Sequence, residues 1–210
     1  MILEGKVINF LGDSITEGHG TSDLDKVFHQ LIKEKYNLKF AYNHGIGGTR
    51  IARQTVPSLK PRHDLTFELR SEVMDRNADA VVVFGGTNDY GHGDSLFGDL
   101  DSTDIYTFCG GVNSLITKLK TDFPNSEIIF MTPIHRLNED EPHEPEGKIL
   151  KDYADAIKKI CALRDIKVID LFGINPIDPA DETLVPDGLH PNDAGHELLA
   201  TVVAEELLKL

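Results

Sequence analysis

Four short stretches of this chain combine side chains suited to acyl transfer. The first, Gly12-Asp13-Ser14-Ile15-Thr16-Glu17-Gly18, follows an apolar run and places a hydroxyl where a helix would begin. There the Ser14 N–H joins the donors that a helix N-terminus leaves unpaired. A serine so placed is a nucleophile if a base reaches it, and otherwise an ordinary cap. The second stretch, Asn43-His44-Gly45-Ile46-Gly47-Gly48-Thr49-Arg50, holds three glycines in four residues, which lets backbone N–H groups approach a ligand closely. The third, Gly85-Gly86-Thr87-Asn88-Asp89-Tyr90-Gly91, offers an amide donor in Asn88 and a carboxylate, Asp89, that would brace its loop. The fourth, Pro186-Asp187-Gly188-Leu189-His190-Pro191-Asn192, sets Asp187 three residues before His190 across a turn. A carboxylate on Nδ1–H would leave Nε2 free to take a proton from a hydroxyl.

Each stretch alone has a plainer reading, since Gly, Asn, Asp and Ser dominate turns for local reasons. Together they supply a hydroxyl, backbone donors, an amide and an Asp/His pair, which are the parts of an acyl-transfer site. The glycine run lacks the spacing of a dinucleotide fingerprint, and no Gly-Lys-Ser/Thr of a P-loop occurs. Asp-x-x-His also suits a metal ligand pair. A metal-dependent phosphoesterase using Asp13, Asn88, Asp187 and His190 is therefore one rival reading, and a non-catalytic carbohydrate-binding module is another. His190 and His196, six apart, are poorly spaced for one metal on a helix.

The elements that must carry these residues alternate. Short apolar runs at Lys6 to Leu11, Leu38 to Tyr42, Ala80 to Phe84, Ile128 to Thr132 and Val168 to Leu171 read as buried parallel strands. Between and after them, apolar residues recur at helical spacing: Phe108, Val112, Leu115, Ile116, Leu119; Ile149, Leu150, Tyr153, Ala154, Ile157, Ile160; and Leu198, Leu199, Val202, Val203, Leu207. Such alternation predicts an α/β fold, a three-layer α/β/α sandwich on a parallel sheet. Stretches 91–103 and 138–147 read as surface loops, without linker composition, so residues 1–210 are expected to form a single domain. In a sheet of this kind ligands bind beyond the carboxyl ends of the strands, where all four stretches lie.

Composition narrows the function further. The 210 residues carry 21 Lys and Arg against 35 Asp and Glu, a net charge of −14 at pH 7. That speaks against a general nucleic-acid binder and against docking on anionic lipid. Cys109 and Cys161 are too few and too far apart for a disulfide scaffold or a Cys-rich metal site. Neither a signal-peptide pattern nor an apolar run of membrane-spanning length occurs, so a cytoplasmic protein with no membrane partner is expected.

Gly12-Asp13-Ser14, Asn43 with Gly45 and Gly48, Gly86 with Asn88-Asp89, and Asp187 with His190 resemble, in order, the four blocks of the SGNH hydrolases, or GDSL-type esterases and lipases. The resemblance spans nearly the whole chain. It implies a flavodoxin-like five-stranded parallel sheet, order 2-1-3-4-5. It also implies Ser14 as nucleophile, His190 as base and then acid, and Asp187 orienting it. The oxyanion hole would be the N–H of Ser14 and of Gly48, with Gly47 as the alternative, plus the Asn88 amide. No metal or organic cofactor is implied.

The expected partner is a small-molecule ester, an acetyl or other short-chain ester, on a carbohydrate or not. Lysophospholipase, lipase, thioesterase and acyltransferase activities use the same triad. Without an apolar lid-like segment, and with an acidic net charge, a lipase acting at lipid surfaces fits less well. Asp13, Arg50, Tyr90, His92, His135 and Arg136 follow strand ends and are candidates to line the substrate pocket.

Overall fold

A computed structural model describes residues 1–92, 94–143 and 145–210. Gly93 and Glu144, which fall in the two predicted loops, lie outside the described residues. Five strands, β1 (Val7–Gly12), β2 (Phe40–Gly45), β3 (Ala80–Phe84), β4 (Glu127–Met131) and β5 (Lys167–Ile169), form one sheet in the order β2-β1-β3-β4-β5. Every pairing is parallel, with Val7 opposite Phe40, Ile8 opposite Ala80 and Val81 opposite Ile128. Eight α-helices are described: α1 (Ser14–Glu17), α2 (Phe28–Tyr36), α3 (Phe67–Arg70), α4 (Thr87–His92), α5 (Phe108–Asp122), α6 (Leu150–Leu163), α7 (Leu171–Ile174) and α8 (Asp193–Lys209).

The apolar strands need cover on both faces, and helices supply it. Because successive strand side chains point to opposite faces, Ile8, Phe10, Val82, Phe84, Ile129 and Met131 enter one core. There they meet Phe28 and Ile32 of α2 and Leu199, Val203 and Leu207 of α8. Leu11, Val81, Val83, Ile128 and Phe130 enter the other, against Val112, Leu115 and Leu119 of α5 and Ile157 and Ile160 of α6. Each such side chain contributes about 1.5–3 kcal/mol when fully buried. The stripe on α8 is narrower than the sequence suggests. Leu198 is exposed and Val202 half-buried, while His196, Ala200 and Ala204 complete the buried face. Among the described residues no helix is long and apolar enough to cross a membrane.

With β1 between β2 and β3, the strand order reverses beside β1, and the loops beyond the carboxyl ends of these strands converge there.

Candidate active site

Asp13, at the exit of β1, caps α1: its Oδ1 accepts the Ile15 N–H at 3.1 Å. The cap position is therefore filled, and the Ser14 hydroxyl in the first turn is released for other bonds. Ser14 Oγ donates to His190 Nε2 at 2.9 Å, and His190 Nδ1 donates to Asp187 Oδ2 at 2.6 Å. Asp187 Oδ1 accepts the N–H of His190 at 2.7 Å and of Leu189 at 3.0 Å, so the turn itself fixes carboxylate and ring together.

The charges suit a proton relay. Burial alone would raise the Asp187 carboxyl, but the backbone N–H and imidazole of His190 hold it down to about 2. For His190, burial outweighs the pull of Asp187, and with His19 and Arg136 nearby the imidazole sits below its ordinary value. At neutral pH this leaves an ionised carboxylate, a neutral imidazole and a hydroxyl in one chain of hydrogen bonds.

Opposite the hydroxyl lies the turn after β2. Gly48 occupies the left-handed region at φ +75°, and a Cβ on Gly47 would come 3.4 Å from Ser14 Cβ. The Gly47 N–H donates to Glu17 Oε2 at 2.6 Å, whereas the N–H groups of Gly48 and Ser14 donate to no protein atom among the described residues. Gly48 is thus the glycine with a donor to spare. One Asn88 amide hydrogen goes to the Thr49 carbonyl at 3.0 Å; the amide has a second, and Asn88 lines the same cleft. Asp89 braces the arrangement, accepting the N–H of Ile51 at 3.1 Å and of Ala52 at 2.9 Å. Its burial outweighs these donors and pushes the carboxyl up to about 6.

The cleft holding these groups has a volume of about 440 Å³ and includes Ser14, Gly48, Asn88, Arg136, Leu189 and His190 in its lining. Of the candidates for substrate contact, Arg136 and His92 line it, and the other four do not. Asp13 is 2% exposed and spent on its cap, and burial pushes its carboxyl up to about 7. Arg50 is 4% exposed and pairs with Asp94. Tyr90 is buried, its hydroxyl donating to the Asn138 carbonyl at 2.5 Å. His135 is held by Glu139 at 2.7 Å and the Phe172 carbonyl at 2.9 Å. Following a strand end was not enough: Arg50, Tyr90 and His135 lie four to six residues beyond β2, β3 and β4, and each is turned to a partner away from the cleft.

Several residues that belong to the site lie outside the four stretches or went unremarked within them. Arg70, 6% exposed, donates to the carbonyls of Gly12 (2.8 Å), His44 and Leu65 (2.9 Å) and to Thr49 Oγ1 (2.8 Å), tying the ends of β1 and β2 together. Glu17 bonds both Gly47 and Arg62. His63 covers Gly48, where an added Cβ would come 2.4 Å from the ring. A buried Arg so far along the chain from its partners leaves no local pattern in the sequence.

His19, Asp187 and His190 each offer a ligand atom within 4.8 Å of one another, and a cation held there would compete with the Ser14–His190–Asp187 bonds. The other set considered for a metal, Asp13, Asn88, Asp187 and His190, does not assemble, because the Asp13 carboxylate faces the protein interior.

A model of the GDSL-like lipase/acylhydrolase family matches residues 10–198. The chain belongs to this family. GDSL-like acylhydrolases hydrolyse ester bonds, and the five-stranded parallel sheet flanked by helices is their fold. Among solved structures, a Lactobacillus plantarum protein is 28% identical, with 98% of each chain covered and a TM-score of 0.81. The lipase/acylhydrolase of Enterococcus faecalis is 23% identical, covering 96% of this chain and 95% of its own, at a TM-score of 0.66. An acetyl xylan esterase is 21% identical, covering 95% of this chain and 98% of its own, at 0.64. No curated protein matches the sequence.

Proposed function

We propose that this GDSL-like hydrolase is a serine esterase acting on a small acyl ester, acetyl or another short chain, with Ser14, His190 and Asp187 as its triad. The observation that carries the reading is the continuous pair of bonds from Ser14 Oγ to His190 Nε2 and from His190 Nδ1 to Asp187. Ser14 Oγ attacks the ester carbonyl while Nε2 takes its proton. The oxyanion of the tetrahedral intermediate is met by the N–H of Ser14, the N–H of Gly48 and the free Asn88 amide hydrogen, each worth about 2.7–4 kcal/mol in comparable sites. The imidazolium then protonates the leaving alkoxide, giving an acyl-enzyme. Water, deprotonated by the same Nε2, attacks the acyl carbon; the imidazolium returns that proton to Ser14 Oγ as it leaves, and the acid is released. Asp187 stays ionised and holds the ring in the tautomer that Nε2 needs.

A short acyl group is favoured because Leu189 is the one aliphatic side chain among the described residues lining the cleft. A long chain would find little apolar surface there. A solved structure of this fold is an acetyl xylan esterase, which supports an acetyl ester on a carbohydrate as a substrate to try. Two free, buried thiols suit a reducing compartment such as the cytoplasm.

The test is hydrolysis of p-nitrophenyl esters from acetyl to long-chain, with EDTA present. kcat/KM should fall steeply with chain length. A maximum on long chains would instead favour a lipase or lysophospholipase, and loss of activity to EDTA would favour a metal site.

A further inference from the structure

The charged side chains that line the cleft have the opposite balance to the molecule that contains it. In a chain of net charge −14, Lys60, Arg62 and Arg136 line the space in front of Ser14. Glu17 is the one carboxylate among the described lining residues, and it is already engaged by Arg62 Nη2 at 2.6 Å and the Gly47 N–H at 2.6 Å. Arg136 is fixed in place: its guanidinium stacks over the Tyr90 ring at 5.6 Å, and Nη1 makes long contacts to the Thr87 carbonyl and hydroxyl at 3.3 and 3.4 Å. Among the described residues its Nε is buried with no hydrogen-bond partner.

A second observation points the same way. Arg50 is 4% exposed, and although Nη2 pairs with Asp94, its Nε and Nη1 are buried without partners among the described residues. Its charge reaches His63 and His92, whose rings stand 6.1 Å apart in the cleft. Burial, reinforced by Arg50 and, at His63, by Lys60, holds both imidazoles below their ordinary value. A positive potential built from fixed guanidinium groups favours a negative ligand, and a cleft focuses it. Neither the acyl-transfer chemistry nor a neutral sugar ester needs these cations.

We propose that the cleft selects an ester carrying a negatively charged group, carboxylate or phosphate, close to the scissile bond, with Arg136 and Lys60 as its recognition residues. This rests on the serine-esterase reading and names the substrate class of that site. Lys60 comes from the segment before the Pro61–Asp64 turn, and Arg136 from the loop after β4. They therefore approach from different sides of the sheet edge, and the acyl or the alcohol portion could bear the charge.

Matched substrate pairs test it, each rate corrected for uncatalysed hydrolysis. For the acyl side the pair is mono-p-nitrophenyl glutarate and p-nitrophenyl valerate; for the alcohol side, 4-acetoxybenzoate and its methyl ester. In at least one pair the anionic member should have the higher kcat/KM, by roughly tenfold or more at low ionic strength. That ratio should shrink in about 0.5 M NaCl, where exposed charges are screened. It should shrink again in Lys60→Gln and in Arg136→Gln. The pair that responds identifies the charged portion. Equal or reversed preference in both pairs would overturn the proposal, as would a preference indifferent to salt and to both substitutions. Turnover of the neutral esters that persists in Ser14→Ala would instead remove the serine mechanism, a failure distinguishable from loss of anion preference.

Discussion

At the scale of single residues, the roles proposed for His190 and Asn88 make different demands. His190 must be neutral to accept the Ser14 proton, and its burial holds it below the ordinary 6.5 of imidazole. Because the unprotonated ring is the active form, kcat/KM should rise with pH through the His190 titration and be flat above it, with the acid midpoint below 6.5. A midpoint at or above 6.5 would contradict the assignment. Removing the amide in Asn88→Ala should lower kcat by about 10²–10³-fold with little change in KM, as for other single oxyanion donors; unchanged turnover would exclude Asn88 from the hole. Ser14, Asn88, Asp187 and His190 could be singled out in the sequence because each sits in a stretch of unusual composition, the first two just beyond β1 and β3 and the other two just before α8. Direction was not legible. Asp13 and Ser14 are neighbours, yet one side chain faces inward to cap α1 and the other faces the cleft. Tyr90 and His135 were misplaced for the same reason, since the acceptors that turn them away, at Asn138 and Phe172, are 37 or more residues distant.

At the scale of elements, the nucleophile depends on how closely β2 packs against α1. A Cβ at Gly45 would come 2.1 Å from the Glu17 nitrogen and 2.5 Å from the Thr16 carbonyl carbon, both backbone atoms that cannot swing aside. Gly45→Ala should therefore cost about 1–3 kcal/mol through overpacking. Because α1 must shift, it should also lower esterase activity more than the loss of folded protein explains. Thermal unfolding and the specific activity of the folded fraction check this; a variant with wild-type Tm and activity would show that the contact is soft. The order of elements was readable from alternating apolar runs, and β3 was predicted over its full extent because Ala80–Phe84 is buried on both faces. The other strand boundaries moved by one to three residues, to wherever the ladder with a neighbour begins and ends. Helix α2 was passed over. Its buried face is only Phe28, His29 and Ile32, and a histidine there breaks the apolar pattern. Inside, that ring bonds the Thr16 carbonyl at 3.0 Å, and burial lowers it to about 4, so it packs as a neutral group.

At the scale of the whole molecule, both cores depend on the same sheet. Val81 and Val83 serve one face while Val82 and Phe84 serve the other, so neither core outlasts the loss of β3. We propose that the chain unfolds as one cooperative unit, as a single domain should. Urea transitions followed by far-ultraviolet circular dichroism and by the tyrosine signal should coincide; two separated midpoints would reveal independent parts. The net charge of −14 was legible at once, but its distribution was not. An acidic chain gives no hint that Lys60, Arg62 and Arg136, from distant segments, gather at one cleft. Only folding sets local potential against total charge.

The central claim is that Ser14 carries the acyl group between attack and release. Rapid quenching of the protein during turnover of p-nitrophenyl acetate, followed by peptide mass analysis, tests it directly. An acetyl increment on the peptide containing Ser14, absent when Ser14→Ala is treated identically and accompanied by loss of turnover in that variant, is the predicted result. Undiminished turnover in Ser14→Ala, or transient acetyl on another residue alone, would contradict it.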